Sequence, residues 1–268
     1  MSYHHYLPQE SCYRDIIHSI WQIDQAPVLR QECILPKGIV EVIFNFSEGP
    51  PILAKAGDYS GRLPQCFISG FSQAPISVQL PEHQVFFGVL LQPLAVQKIF
   101  GHPAGMFANT TVDCSLLNPA FLSLWQQLAE QDDFDKRVQV FLAWIKRKYT
   151  APLPQQQLIN HFLYANSQHG LSVTALAGSM CYSPRQLSRK MIEATGMNTE
   201  TILLYKKYLH ALQLVHQTDL PLTAIAYDSQ YADQSHFIRS FKSFAHITPG
   251  EYRRNKSAVQ AHLYKDVR

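Results

Sequence analysis

In the last third of the chain, Phe237, Phe241 and Phe244 recur at the i, i+4, i+7 spacing of a buried helical stripe, while Gln234, Ser235, Ile238, Arg239 and Lys242 fall on the opposite side. The pattern predicts a helix that packs one face and offers the other to a partner. The same period recurs upstream. Val173, Leu176 and Ala177 follow a capping Ser172; Leu187, Met191 and Ala194 share an inward side that leaves Arg185, Ser188 and Arg189 outward. Between these segments, Ile202, Tyr205, Tyr208, Leu209, Leu212 and Val215 mark a long connecting helix, and Leu222, Ile225 and Ala226 follow Pro221 in a shorter one. Their ends are also written locally. Ser183-Pro184-Arg185-Gln186 and Thr248-Pro249-Gly250-Glu251 have the form of capping boxes, Asp233 suits an N-cap, and Gly196 suits a C-terminal stop.

Earlier in the chain the period is two. Val40, Val42, Phe44 and Phe46 alternate along Ile39 to Phe46, and Ile76, Val78 and Leu80 do the same. Phe67 to Phe71 and the nearly continuous apolar run Val85 to Leu91 are further strand candidates. An open or closed antiparallel barrel is the economical reading. Helical periodicity then returns in Phe121 to Glu130 and Phe134 to Tyr149; the second carries Phe134, Val138, Phe141, Leu142, Ile145 and Tyr149 along one side, to be buried against its own domain or a second subunit. Thr150-Ala151-Pro152-Leu153-Pro154 reads as a linker. The expected class is therefore α+β: a β-barrel-like (cupin-like) domain with flanking helices over residues 1–150, an all-α domain with two helix-turn-helix motifs over 155–256, and a tail over 257–268.

The 268 residues are 46% hydrophobic, enough for packed cores in two domains. The net charge of +3 hides a division: residues 1–150 hold 11 Lys and Arg against 13 Asp and Glu, and residues 151–268 hold 12 against 7. The basic surplus lies with the helical domain, as a polyanion-binding module requires. The five cysteines (Cys12, Cys33, Cys66, Cys114, Cys181) form no C-x-x-C pair, so neither a disulfide framework nor a zinc site is indicated and a reducing cytoplasm is expected. No leader-like segment opens the chain, and no apolar run approaches the roughly 20 residues needed to span a bilayer.

Residues from about 160 to 256 resemble the DNA-binding domain of the AraC/XylS family of transcriptional regulators. The resemblance rests on Ile225-Ala226, Tyr231-Ala232-Asp233-Gln234-Ser235-His236-Phe237, Arg239, Phe241-Lys242, Thr248-Pro249 and Tyr252-Arg253, with Leu187-Ser188-Arg189 and Thr195-Gly196-Met197 in the first half. It implies that Arg185, Ser188 and Arg189 in one recognition helix, and Gln234, Ser235 and Arg239 in the other, read bases in the major groove. Arg forks onto guanine and Gln onto adenine, each bidentate pair contributing roughly 1–3 kcal/mol of discrimination. Lys242 and Ser183 would position phosphates. Where the family places glycine in its turns this chain has Cys181, Gln230 and His246, so reshaped or strained turns are expected. The family's arginine in the connecting helix is replaced by Lys207, with Leu204-Tyr205 where basic residues are common. The resemblance implies double-stranded promoter DNA as partner, activation rather than repression, and no cofactor. RNA polymerase, a small-molecule effector and a second copy of the chain are further candidate partners.

Residues 1–150 resemble, more loosely, a poorly characterised sensor-type domain fused to such readers, through Leu35 to Asn45 and Phe87 to Pro93. Glu41 and Asn45 share the strand face opposite Val40, Val42 and Phe44. They are candidate polar contacts in an effector pocket, although alternation alone marks any half-buried strand and favours a solvated face. A metal-dependent enzyme on the same barrel is the rival class. It lacks the required ligand spacing, because His4, His5, His18, His83 and His102 form no H-x-H or H-x-x-x-H pattern. Fusion to a cysteine methyl acceptor would need Cys33 or Cys66, and neither lies in a cysteine cluster. A purely protein-binding helical module would want apolar anchors where Gln, Ser, Arg and Lys stand.

Overall fold

The computed structural model describes residues 2–25, 30–57, 59–81, 83–148, 153–165 and 170–266. Its strands are β1 (Ser2–Tyr6), β2 (Ile17–Gln25), β3 (Arg30–Ile34), β4 (Glu41–Asn45), β5 (Leu53–Ala56), β6 (Tyr59–Arg62), β7 (Cys66–Ser69), β8 (Ile76–Leu80), β9 (Gln84–Leu91), β10 (Thr111–Asp113) and β11 (His262–Asp266). They pair into two sheets, ordered β1-β2-β9-β4-β7-β10 and β11-β3-β8-β5-β6, with every pairing antiparallel. The sheets face each other across a cavity. No hydrogen-bonded ladder joins them into a closed barrel among the described residues, so of the open or closed barrel expected from the alternation the closed form is not seen.

The period of β4 explains why the layer is covered on its outer side. Val42 and Phe44 turn away from the cavity, while Glu41 and Ile43 turn into it. Phe44 meets Phe87 of β9, Phe121 and Phe141, with ring centroids 6.1, 6.4 and 6.2 Å apart. These last two rings belong to α4 (Ala120–Ala129) and α5 (Phe134–Lys146), preceded by α1 (Ser11–Arg14), α2 (Val96–Phe100) and α3 (Cys114–Leu117). The stripe on α5 is thus covered by this chain's own sheet, with Phe141 and Ile145 essentially inaccessible; Tyr149 lies outside the described residues. Arg137 is buried with it, donating to Gln22 Oε1 (2.8 Å) and to the Leu128 carbonyl (3.1 Å), so its desolvated guanidinium keeps polar partners.

Part of the expected linker, Thr150 to Pro152, lies outside the described residues. Helix α6 (Pro154–Tyr164) follows, and then α7 (Val173–Ser179), α8 (Pro184–Thr195), α9 (Thr199–Gln217), α10 (Leu222–Asp228), α11 (Gln234–Ala245) and α12 (Pro249–Asn255). One apolar core runs from the six-stranded sheet into these helices. The residues after 256, expected only to trail from the helical domain, instead return to the five-stranded sheet: β11 pairs with β3 in the register His262↔Ile34 to Asp266↔Arg30.

Candidate nucleic-acid interface

Helices α8 and α11 are each started by side chains that satisfy otherwise orphaned backbone donors. The Ser183 hydroxyl accepts the Gln186 N–H at 3.3 Å, while the Gln186 side chain accepts the Ser183 N–H at 3.0 Å. At α11, the Asp233 carboxylate accepts the His236 N–H at 2.7 Å. Their apolar stripes then orient them: Leu187, Met191 and Ala194 on α8, and Phe237, Phe241 and Phe244 on α11, are all buried. The opposite faces are left to solvent. Arg185, Arg189, Gln234, Ser235, Arg239 and Lys242 are exposed, and Ser188 is half-buried. Arg189 approaches Glu193 at 3.9 Å with its side chain 71% exposed, a surface pairing too weak to withhold the guanidinium from a stronger anion. The Ser183 hydroxyl is engaged with Gln186 in its capping box.

The two units share α9 as a common spine, packed against α7, α8, α10, α11 and α12. On it, Tyr205 and Tyr208 interlock with Phe244 at centroid distances of 5.1 Å each. Lys207 donates to the Gln230 carbonyl at 2.7 Å and lies over the Tyr231 ring, so it braces the turn of the second unit. The turns keep the backbone of a glycine without having one: Cys181, Gln230 and His246 stand at φ of +57°, +56° and +56°. The expected reshaping does not occur, and the left-handed conformation is imposed on side chains that disfavour it.

The helical domain is bonded directly to the sheets. The Tyr205 hydroxyl accepts the Gly38 N–H (3.0 Å) and donates to the Ser72 carbonyl (2.8 Å), and Tyr164 of α6 donates to the Leu91 carbonyl (2.6 Å). Burial pushes both phenols well above their ordinary range, so they act as neutral hydrogen-bonding groups. Gly105, in the turn Ala104–Phe107, meets the C-terminal end of α8 so closely that a Cβ there would lie 2.1 Å from the Ile192 carbonyl oxygen. Lys206 is buried beside them. Its ammonium donates to the Leu163 carbonyl (3.2 Å) and to that of Ala165, at the end of α6, and burial lowers its pKa to about 8.

Between the sheets lies a cavity of about 400 Å3, walled largely by apolar side chains such as Ile43, Phe67, Val78 and Phe86. Glu41 opens into it, 3.4 Å from the Lys37 ammonium. Asn45 does not line it: its side chain accepts the Ser47 N–H at 2.9 Å, closing the turn after β4. Among the described residues no group of three or more His, Cys, Asp and Glu is placed to hold a metal ion.

Known proteins bear on both halves. Residues 176–255 match the family described as Helix-turn-helix domain, and residues 4–113 match the Domain of unknown function (DUF6597). Residues 176–255 thus form a helix-turn-helix domain. Among similar proteins, the uncharacterized HTH-type transcriptional regulator YtdP of Bacillus subtilis is 25% identical over 130 residues, covering 43% of this chain and 17% of that protein. The uncharacterized HTH-type transcriptional regulator SAS0078 of Staphylococcus aureus is 32% identical over 89 residues, covering 33% and 12% respectively. The chain therefore spans less than one-fifth of the length of these relatives. Across both domains, the crystal structure of ToxT from Vibrio cholerae O395 has the same fold, with a TM-score of 0.50 at 16% identity over 88% of this chain and 99% of that one.

Several residues that matter to this helix-turn-helix domain escape a reading by period. Lys206 sits four positions after Ile202, inside the apolar stripe, and that misplaced charge was the one signal that it is buried. The pairing of Tyr205 with Gly38, 167 positions away, leaves no local trace. His262-Leu263-Tyr264 alternates too briefly to announce β11.

Proposed function

We propose that this protein is a non-enzymatic, sequence-specific DNA-binding transcription regulator. In this reading α8 and α11 enter successive major-groove segments, Arg185, Ser188, Arg189, Gln234, Ser235 and Arg239 meet base edges, and Lys242 with the first turn of α8, including Ser183, holds phosphates. The observation that carries it is the division of α8 and α11 into a buried apolar stripe and an exposed face with three arginines, on helices joined by one continuous spine. An interaction module would reverse that chemistry, placing apolar anchors outward.

The remaining assignments extend the same reading. Residues 1–150 serve as the effector-binding or subunit-pairing domain, with Glu41 as a polar contact in the cavity; residues 155–256 are the reader. The regulator acts in the cytoplasm as an activator, with RNA polymerase and a second copy of the chain as protein partners. Support comes from the bonding of Tyr205 and Tyr164 to the sheets, which gives cavity occupancy a direct route to α9. Selection of bound duplexes from a random pool by the full chain tests the reading. A recovered motif with two half-sites about one helical turn apart is the expected result. Retention of no duplex even at low ionic strength would refute it.

A further inference from the structure

Glu41 is placed where a solitary carboxylate should not be. Its side chain is 9% exposed, Oε1 is 3.4 Å from the Lys37 ammonium, and the buried Oε2 has no hydrogen-bond partner among the described residues. An unmet buried acceptor is destabilising, more so when charged, unless something supplies a donor. Glu41 lines a cavity of about 400 Å3, in the range that encloses small molecules.

The chemistry of the walls narrows the donor. Lys37 is the only lysine or arginine among the described lining residues, and it already faces Glu41. The second lining carboxylate, Glu32, is 6% exposed and bonded to His262 Nδ1. A ligand carboxylate would meet two buried acids and a cation already engaged by one of them. A protonated amine would find the Glu41 carboxylate in the wall, with Trp21, Phe67 and Phe86 to receive its apolar body and stabilise the charge through ring faces.

We propose that the cavity between the two sheets binds a small molecule carrying a protonated primary amine on an aromatic or aliphatic body, with the Glu41 carboxylate accepting from the ammonium. The inference rests on the effector-control reading above and gives its ligand a chemical class. It also gives the ligand a second route to the reader, because the cavity wall includes His262 and Tyr264 of β11. That segment is tied to the helical domain on its near side: the Ala261 N–H donates to the Tyr252 hydroxyl at 3.0 Å, and Lys256 donates to the His216 carbonyl at 2.6 Å. On its far side, the Leu35 N–H donates to the Ala261 carbonyl at 2.8 Å.

The experiment titrates the full chain with tryptamine, tryptophol and indole-3-propionate, three head groups on one body, and with octylamine, reading heat of binding and melting temperature. Tryptamine is expected to bind at least tenfold more tightly than the acid. Glu41→Gln should abolish that preference, and Lys37→Met, which frees both carboxylate oxygens, should strengthen amine binding several-fold, so the proposal stays testable if either variant fails to fold. Preference for the acid, equal affinity for all three head groups, no response to either amine, or undiminished amine binding by a folded Glu41→Gln variant would each overturn the proposal. Duplex binding is measured separately on the same samples. Amine binding without any change in duplex affinity would uphold the site and reject effector control, while loss of the regulator reading altogether would show as absent duplex binding whatever the amines do.

Discussion

Tyr205 and Gly38 lie 167 positions apart, yet the Tyr205 hydroxyl accepts the Gly38 N–H at 3.0 Å and makes the spine of the helical domain part of the sheet domain's hydrogen bonding. The same oxygen donates to the Ser72 carbonyl, so Tyr205→Phe removes the partner of one buried and one part-buried backbone group at once. The expected cost is about 1–3 kcal/mol in chemical denaturation. Gly38→Ala attacks the same contact from the other side. At φ +70° an alanine is strained even if Leu209 Cδ1, 2.5 Å from the added Cβ, swings aside, and it should destabilise by about 1 kcal/mol. If both variants melt like the wild type, the domains are not docked through this pair.

His246 ends α11 in the left-handed conformation, with its N–H donating to the Lys242 carbonyl at 2.9 Å. His246→Gly removes the Cβ conflict, offset by the larger unfolded-state entropy of glycine, and should stabilise by about 0.5–1 kcal/mol. For a substitution to glycine a gain is unusual, which makes the melting temperature a sharp readout.

Lys206 supplies a pH dependence whose sign can be worked out. Burial holds its folded pKa near 8, below the ordinary 10.5. Between those values the unfolded chain binds a proton that the folded chain does not, so stability rises with pH across the interval and the increment is absent below about 8. Buried Cys114 and the tyrosines, raised by desolvation, act in the opposite direction at higher pH. The test is therefore the difference between wild type and Lys206→Met, which should change steadily from pH 8 to 10 and stay flat from 6 to 7.5. The variant also loses the donor to the Leu163 and Ala165 carbonyls, and should loosen the end of α6.

For the reader, Arg239→Ala is expected to lower specific affinity by about 1–3 kcal/mol and relax one base position. Lys242→Ala should weaken all sequences together and reduce the salt slope by about one counterion. Equal, sequence-independent losses for both would reject the division between base reading and phosphate holding.

Removal of residues 257–268 should expose the β3 edge and open one wall of the cavity. Lower thermal stability and an altered duplex affinity are expected of the truncated chain, because β11 links α12 to the sheets. Unchanged values of both would make the terminal strand dispensable.

What could be read from the residues alone was whatever is decided within one or two helical turns. The capping boxes at Ser183 and Thr248, the N-cap at Asp233, the Phe237-Phe241-Phe244 stripe and the outward Arg239 depend on side chains three or four positions apart, and they hold their predicted places. The left-handed turns at Cys181, Gln230 and His246 were visible as absent glycines, but only the surrounding packing could decide whether such turns would yield, and it holds them in place. Glu41 and Asn45 look equivalent by alternation, and the second sheet separates them, enclosing one in a cavity and leaving the other to cap a turn. Period two names a strand's faces without saying what will lie opposite. Tertiary structure alone places β11 beside β3, Tyr205 against Gly38 and Lys206 under the end of α6, because each partner is brought by long-range docking and has no neighbour in the chain that could reveal it.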